Sequence, residues 1–304
     1  MADPAREDPR ARGTPAGQVF RRFRRHRPAF VSLVVLALIA IACFGYPFFA
    51  GVVVHSTYTQ QAGADVIVNQ APSAQHWMGT DSLGRDQFLR ILKGGQVSLL
   101  VGLAVAVIGT VIGTAVGVLA GYRGGFAEAG VVVVIDFFLS LPFIALMLAA
   151  SQFTPALAGG SILSVVVVLS FFSWMILARI VRAETLSLRE KEFMLAARAA
   201  GASNTRIVVR HVLPNEVGVI IVNATLAVAV AILAESTLSF LGFGVKSEVP
   251  TWGNMLNKAT DDISLHGHLF WAPALCIVAT VLAVNFMGDG LRDAFDPKSV
   301  RARP

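Results

Sequence analysis

Charge is scarce in this sequence: Asp, Glu, Lys and Arg make up 14% of 304 residues, while 55% are hydrophobic. Soluble globular chains carry about a quarter charged residues, so this composition excludes an ordinary soluble enzyme or binding domain. Cysteine is nearly absent. Cys43 and Cys276 are the only two; both fall in apolar runs and give neither a metal-ligand spacing nor an outer-loop disulfide. No lysine follows a glycine, which excludes a Walker A phosphate loop and ATP binding in the P-loop manner. Paired catalytic groups are missing as well, so no catalytic residue, no metal site and no cofactor is assigned to this chain.

What the sequence does have is long stretches without charge: residues 29–54, 94–122, 137–178, 217–234 and 269–288. A helix crosses about 30 Å of hydrocarbon with roughly 20 apolar residues. Four stretches fit one crossing each. The third is about twice that length, with Gln152, Thr154, Pro155, Gly159 and Gly160 near its middle, the composition of a turn between two spans. The expected fold is therefore all-α, an integral membrane bundle of six transmembrane helices. The second span is expected to begin near Gln96, the third to run to about Ala150 with a kink at Pro142, and the last to cover Leu269 to Gly288.

Lys and Arg set the topology. With the N-terminus inside, residues 1–28, Arg123, residues 179–216 and residues 289–304 hold 20 of them, against five outside: Arg85, Arg90, Lys93, Lys246 and Lys258. Both termini are thus expected in the cytoplasm. The organisation that follows is a disordered basic N-terminus (1–28), a first transmembrane helix (29–54) and an extracytoplasmic loop (55–95). A five-helix core (96–290) and a cytoplasmic tail (291–304) complete it. The net charge of +6 invites a nucleic-acid reading. However, Arg21, Arg22, Arg24, Arg25 and Arg27 lie directly before a span, where they anchor topology and can meet anionic lipid; no nucleic-acid partner is expected. The run Ala40-Ile41-Ala42-Cys43 resembles a lipoprotein cleavage site, but the apolar stretch continues to Val54, so the span is read as retained.

Gly109, Gly113, Gly117 and Gly121 recur every four residues, placing a small-residue stripe on one face of the second span for close helix packing. The polar loop between the fourth and fifth spans is expected to hold two short helices. Ser187-Leu188-Arg189-Glu190 has the form of a capping box, Gly201 supplies a stop, and Ser203 or Asn204 can cap a second helix reaching Leu213 before Pro214 opens the fifth span. Phe193, Ala196, Ala197 and Ala200 share a face at three- and four-residue spacing. One aromatic knob among small residues, rimmed by Arg189, Lys191 and Arg198, suits a groove on another protein.

Met194-Leu195-Ala196-Ala197-Arg198-Ala199-Ala200-Gly201, followed by His211-Val212-Leu213-Pro214, resembles the coupling motif of binding-protein-dependent ABC importers. That motif has Glu where Leu195 stands here. His76 to Asp86, Glu235 to Gly244, Pro250 to Leu256 and Gly288 to Pro297 resemble further signatures of the peptide and nickel branch of that family. The resemblance implies a permease of the bacterial cytoplasmic membrane importing di- or oligopeptides, with nickel or glutathione as other cargoes. It implies one or two separate ABC ATPase subunits carrying ATP and Mg, a homologous second permease and an extracytoplasmic solute-binding protein. On this footing Leu188, Arg189, Glu192, Phe193, Leu195, Ala196, Ala197, Arg198, Ala200 and Gly201 are expected to meet the ATPase, with Leu213 and Pro214 structural. A secondary transporter is the rival class; it would need charge relays and inverted repeats, and only Asp136 offers the former.

Two acids remain as candidates for the pathway or a gate. Asp136 lies well inside the third span, where a charge faces the bundle interior or a wet cavity. Glu235 comes near the outer end of the fifth span, within expected reach of water. His76, Asp81, Arg85 and Asp86 follow no metal-ligand spacing and are read as hydrogen bonding that pins the outer loop. His266 and His268 are read as interfacial.

Overall fold

The computed structural model describes residues 15–53, 59, 68–153, 161–246, 248–260 and 263–295. The elements among them are helical, with one isolated bridge between Thr80 and Asp86. Disorder is expected over residues 1–28, but Pro15–Arg25 forms α1. Val19 and Phe23 fall on one side of it, where Phe23 buries against Ala29 and Ala294. Residues 1–14 lie outside the described residues. α2 (Arg27–Phe44) starts on His26, whose Nδ1 accepts the Ala29 N–H at 3.2 Å.

α3 (Gln87–Arg123) begins well before the expected Gln96. Asp86 caps it by accepting the Leu89 N–H at 3.0 Å. Arg90 does not end the span either, because it is buried with its Nε 3.3 Å from Asp81 Oδ2. A charge can sit inside a helix turn when a carboxylate folds over it.

The third span is not one kinked helix. α4 (Gly125–Ser140) and α5 (Phe143–Phe153) meet at a 94° bend. Leu141 is extended (ψ 148°), the conformation favoured before a proline. The turn residues Thr154, Pro155, Gly159 and Gly160 lie outside the described residues. α6 (Ile162–Arg189) follows, then α7 (Glu192–Ala199), α8 (Asn204–Ile207) and a π turn over Val208–Val212. α9 (Leu213–Phe240), α10 (Trp252–Ala259) and α11 (Gly267–Phe295) complete the order.

Pro214 opens α9 as expected, but no gap separates α9 from α8. It lies in the first turn of α9, after a widened π turn that asks no N–H of it. Asn204–Phe240 is thus one unbroken span of 37 residues. With α2, α3, α6 and α11, five helices are long and apolar enough to cross a membrane, or six if α4 and α5 together count as one.

α3 packs most closely on α6, through the glycine stripe. A Cβ at Gly113 would stand 2.7 Å from the Trp174 carbonyl, and one at Gly117 2.7 Å from the Ala178 carbonyl. Only hydrogen fits at these points, so the backbones nearly touch. The main core gathers Val101, Val105, Ile135, Met147, Leu169, Met175 and Leu238 from α3, α4, α5, α6 and α9.

Candidate functional site

The segment between α6 and α9 is ordered, but not as its sequence pattern suggests. Ser187 caps nothing: α6 runs through it to Arg189, with Leu188 buried. The continuing tertiary packing of Leu188 extends the helix past the point where the serine could have started a new one. α7 begins after Lys191 and ends in a Schellman turn. Gly201, at φ 75°, donates its N–H to the Arg198 carbonyl at 2.9 Å, and Ala202 donates to the Ala197 carbonyl at 3.1 Å. Ser203 caps α8 by accepting the Arg206 N–H at 3.4 Å.

One side chain fixes α7 to the bundle. Met194 is fully buried among Val118, Leu177, Val181, Ile207 and Val212, and Ala197 is half-buried beside it. Its other side is bare: Phe193 is 43% and Leu195 54% exposed, with Glu192, Ala196, Arg198, Ala200 and Gly201 exposed around them. Ala197 therefore leaves the face on which its spacing puts it with Phe193, and Leu195 joins that face. Leu188 is inside, Arg189 and Leu213 are half-buried, and Pro214 is exposed. The ends of the segment are tied down. The Phe193 ring lies 6.4 Å from that of His211, the Arg198 guanidinium lies 5.5 Å over the Tyr122 ring, and the Tyr122 hydroxyl donates to Asn204 Oδ1 at 3.0 Å.

Beneath this platform, Thr185 on α6 donates to Glu216 Oε1 on α9 at 2.5 Å, with Glu216 fully buried. Sequence reasoning passed over Glu216. Its only signal was an acid two residues after Pro214, in a loop already rich in charge.

Asp136 finds its partner on a neighbouring helix: Arg179 of α6 hydrogen-bonds to its carboxylate, and the pair is half-exposed on the surface of this chain. A second pair, Glu128 with Arg182, joins the same two helices. One turn further along α4, at its bend, a cavity of about 420 Å³ opens between Phe138, Leu141, Phe143, Phe172, Met175 and Ala231.

Glu235 does not reach water. It is fully buried, and its two oxygens accept from Ser98 (2.9 Å) and Ser239 (2.7 Å). Ser98 also accepts the Trp252 N–H at 3.3 Å, so α3, α9 and α10 are joined at one point. Trp252, itself fully buried, donates its Nε1–H to the Ile91 carbonyl at 3.1 Å. Glu235 therefore lies in the interior at the α10 end of the bundle.

The segment before α3 is pinned by hydrogen bonds. His76 Nδ1 and Asp86 Oδ2 are 2.8 Å apart, and Asp81 accepts from the Leu83 and Arg85 N–H groups and from Arg85 Nε, each within 2.9 Å. Burial pushes the Asp81 carboxyl up, but the Arg85 hydrogen bonds and the Arg90 charge outweigh it and hold it below the usual carboxylate value. Burial and the same two arginines depress Lys258. Among the described residues no group of three or more His, Cys, Asp or Glu side chains is placed to hold a metal ion.

Residues 113–301 match the family described as binding-protein-dependent transport system inner membrane component, and residues 14–72 match the N-terminal TM domain of oligopeptide transport permease C. The chain is 40% identical over 287 residues to a putative peptide permease protein of Brucella suis biovar 1, covering 94% of this chain and 92% of the relative. It is 42% identical over 280 residues to the oligopeptide transport system permease protein OppC of Escherichia coli K12, covering 91% and 89%. It is 41% identical over 287 residues to the glutathione transport system permease protein GsiD of Shigella flexneri serotype 5b, covering 94% and 91%. Among solved structures, a chain of the inward-facing MetNI methionine ABC transporter superposes with a TM-score of 0.57 at 21% identity, covering 68% of this chain and 97% of that one. At that identity the likeness is one of fold.

Proposed function

The chain belongs to the family of binding-protein-dependent transport system inner membrane components, and from that premise we propose that it is the permease subunit of an ATP-driven ABC importer for peptides in the bacterial cytoplasmic membrane. The names of its relatives support the cargo: peptide and oligopeptide permeases at 40% and 42% identity. Glutathione, itself a tripeptide, is the alternative on the strength of GsiD. The excess of Lys and Arg supports cytoplasmic termini and a cytoplasmic α7.

The observation that carries the mechanism is the two-sidedness of α7. Met194 seats it in the bundle, while Phe193, Leu195, Ala196 and Ala200 face outward as an apolar patch rimmed by Arg198. Such a patch suits the groove of a separate ABC ATPase, where ATP and Mg bind. Leu195 in place of the motif's Glu makes that contact apolar. Closure of the ATPases moves α7 only if they grip it differently in their two states. A homologous second permease would complete the path, and an outer solute-binding protein would deliver the peptide. The half-exposed Asp136–Arg179 pair supports turning the α4–α6 face toward that path, since charges at membrane depth do not face lipid.

The test is a Phe193→Cys chain crosslinked in membranes that hold the co-expressed ATPase. A crosslink whose yield changes with ATP is expected. No crosslink under any nucleotide condition overturns the coupling role.

A further inference from the structure

α1 presents two chemistries. Val19 and Phe23 turn toward α11, where Phe23 is buried and Met287, Leu291 and Ala294 pack with them. Arg21, Arg24, Arg25 and, just beyond, Arg27 are exposed on the other sides. Phe20 is 62% exposed beside them. Exposed arginines on a short helix directly before a membrane span present a cationic surface to anionic lipid headgroups.

A second feature meets α1 at Met287. A trench of about 570 Å³ runs between α2, α3, α9 and α11, lined by Leu36, Ala40, Phe44, Leu103, Val107 and Met287 among others. Leu103 and Val107 are each more than half exposed along it. Its α3 wall extends from Leu99 to Val111, about 18 Å at 1.5 Å per residue, the reach of a fatty acyl chain. Met287 both lines the trench and packs in the cluster that holds Phe23. Met287 thus joins the apolar slot to the helix that carries the arginines.

We propose that α1 and this trench form a binding site for an anionic phospholipid. The headgroup sits on Arg21, Arg24 and Arg25, and one acyl chain lies along α2 and α3. Neither feature alone names the ligand: the arginines fit any phosphate, and the slot fits any lipid. Their junction at Met287 selects a molecule that is both. The site is independent of the peptide cargo and of the ATPase contact.

Purified full-length chain in neutral detergent micelles, titrated with dansyl-labelled phosphatidylglycerol or phosphatidylcholine, tests this. Phosphatidylglycerol is expected to bind more tightly, and inorganic phosphate at equal concentration is expected not to displace it. Each arginine near an anionic surface contributes about fivefold, so an R21Q/R24Q/R25Q chain should lose on the order of 100-fold for phosphatidylglycerol and little for phosphatidylcholine. An Ala40→Phe chain, with the slot filled and the arginines intact, should lose affinity for the long-chain lipid but keep it for a dihexanoyl form. Equal binding of the two headgroups, or an unaffected triple variant, overturns the headgroup site. Displacement by inorganic phosphate reduces it to an anion site and overturns the lipid assignment, as does an Ala40→Phe chain that binds long-chain lipid unchanged.

Discussion

Ser98 and Glu235 are 137 positions apart in sequence, and the serine hydroxyl donates to the buried carboxyl group at 2.9 Å. The same serine oxygen takes the backbone N–H of Trp252. Ser98 thus ties the seam between α10 and the spans it packs on, alongside the Trp252 Nε1 bond to the Ile91 carbonyl.

Replacing Glu235 with alanine should destabilise the chain by about 2–4 kcal/mol, because it leaves a cavity and two buried hydroxyls without an acceptor. Glutamine keeps the volume and one acceptor oxygen, and should restore most of the loss. Thermal unfolding in detergent reads this directly. An alanine variant as stable as the wild type would show that the seam is held elsewhere.

The glycine stripe allows a sharper test. A methyl group at Gly117 lands 2.7 Å from a backbone carbonyl oxygen and 2.8 Å from the Val181 Cβ, and neither atom can swing aside. Gly117→Ala should cost about 1–3 kcal/mol by overpacking. Gly130, which has open space around it, should accept alanine with no loss of unfolding temperature.

These two sites mark what sequence reading can and cannot reach. The spans and the glycine stripe were legible because each is a local pattern: a run without charge, or a spacing of four. The start of α3 was not, since it depends on Asp81 folding over Arg90. Pro142 marked the place of the break in the third span but not its angle. The burial of Glu235 depends on α10 folding back to seat Trp252 against α3. The Met194 anchor was hidden for a similar reason. Spacing put Phe193 and Ala197 on one face, but only the packing of Val118 and Ile207 decides which side of α7 is inside.

For α7, the two sides should separate in mutants. Phe193→Glu should reduce peptide uptake at least tenfold while changing stability by no more than about 0.5 kcal/mol, as exposed substitutions usually do. Met194→Asp should fail differently, with lost stability and little chain recovered, because it buries a charge. Uptake assays paired with membrane-fraction blots distinguish the two outcomes.

Asp81 offers a test by pH. Its carboxyl is held below the ordinary value in the folded chain, so the ionised form stabilises the loop. That contribution is complete above the unfolded-state value, about pH 4, and is lost as pH falls through the lower folded value. Amide exchange at Leu83 and Arg85 should therefore accelerate, relative to its intrinsic rate, only at strongly acidic pH. In Asp81→Asn that acid transition should disappear.

The Asp136–Arg179 pair should show coupling. Asp136→Asn strands an arginine at membrane depth and should depress uptake more than the double variant Asp136→Asn/Arg179→Gln does. Equal losses in the single and double variants would mean that the two residues act separately.

The uninterrupted course of Asn204–Phe240 has a consequence for how the two faces of the membrane communicate. At 37 residues the helix is about 55 Å long, and a tilt of about five degrees about one end carries the other through about 5 Å. Ile207, packed on Met194, lies near one end of it, and Glu235 lies near the other. A modest swing imposed at α7 therefore arrives at α10 as a displacement comparable to the spacing of neighbouring side chains, with the π turn at Val208–Val212 and Pro214, both close to the α7 end, as the places where the helix can flex.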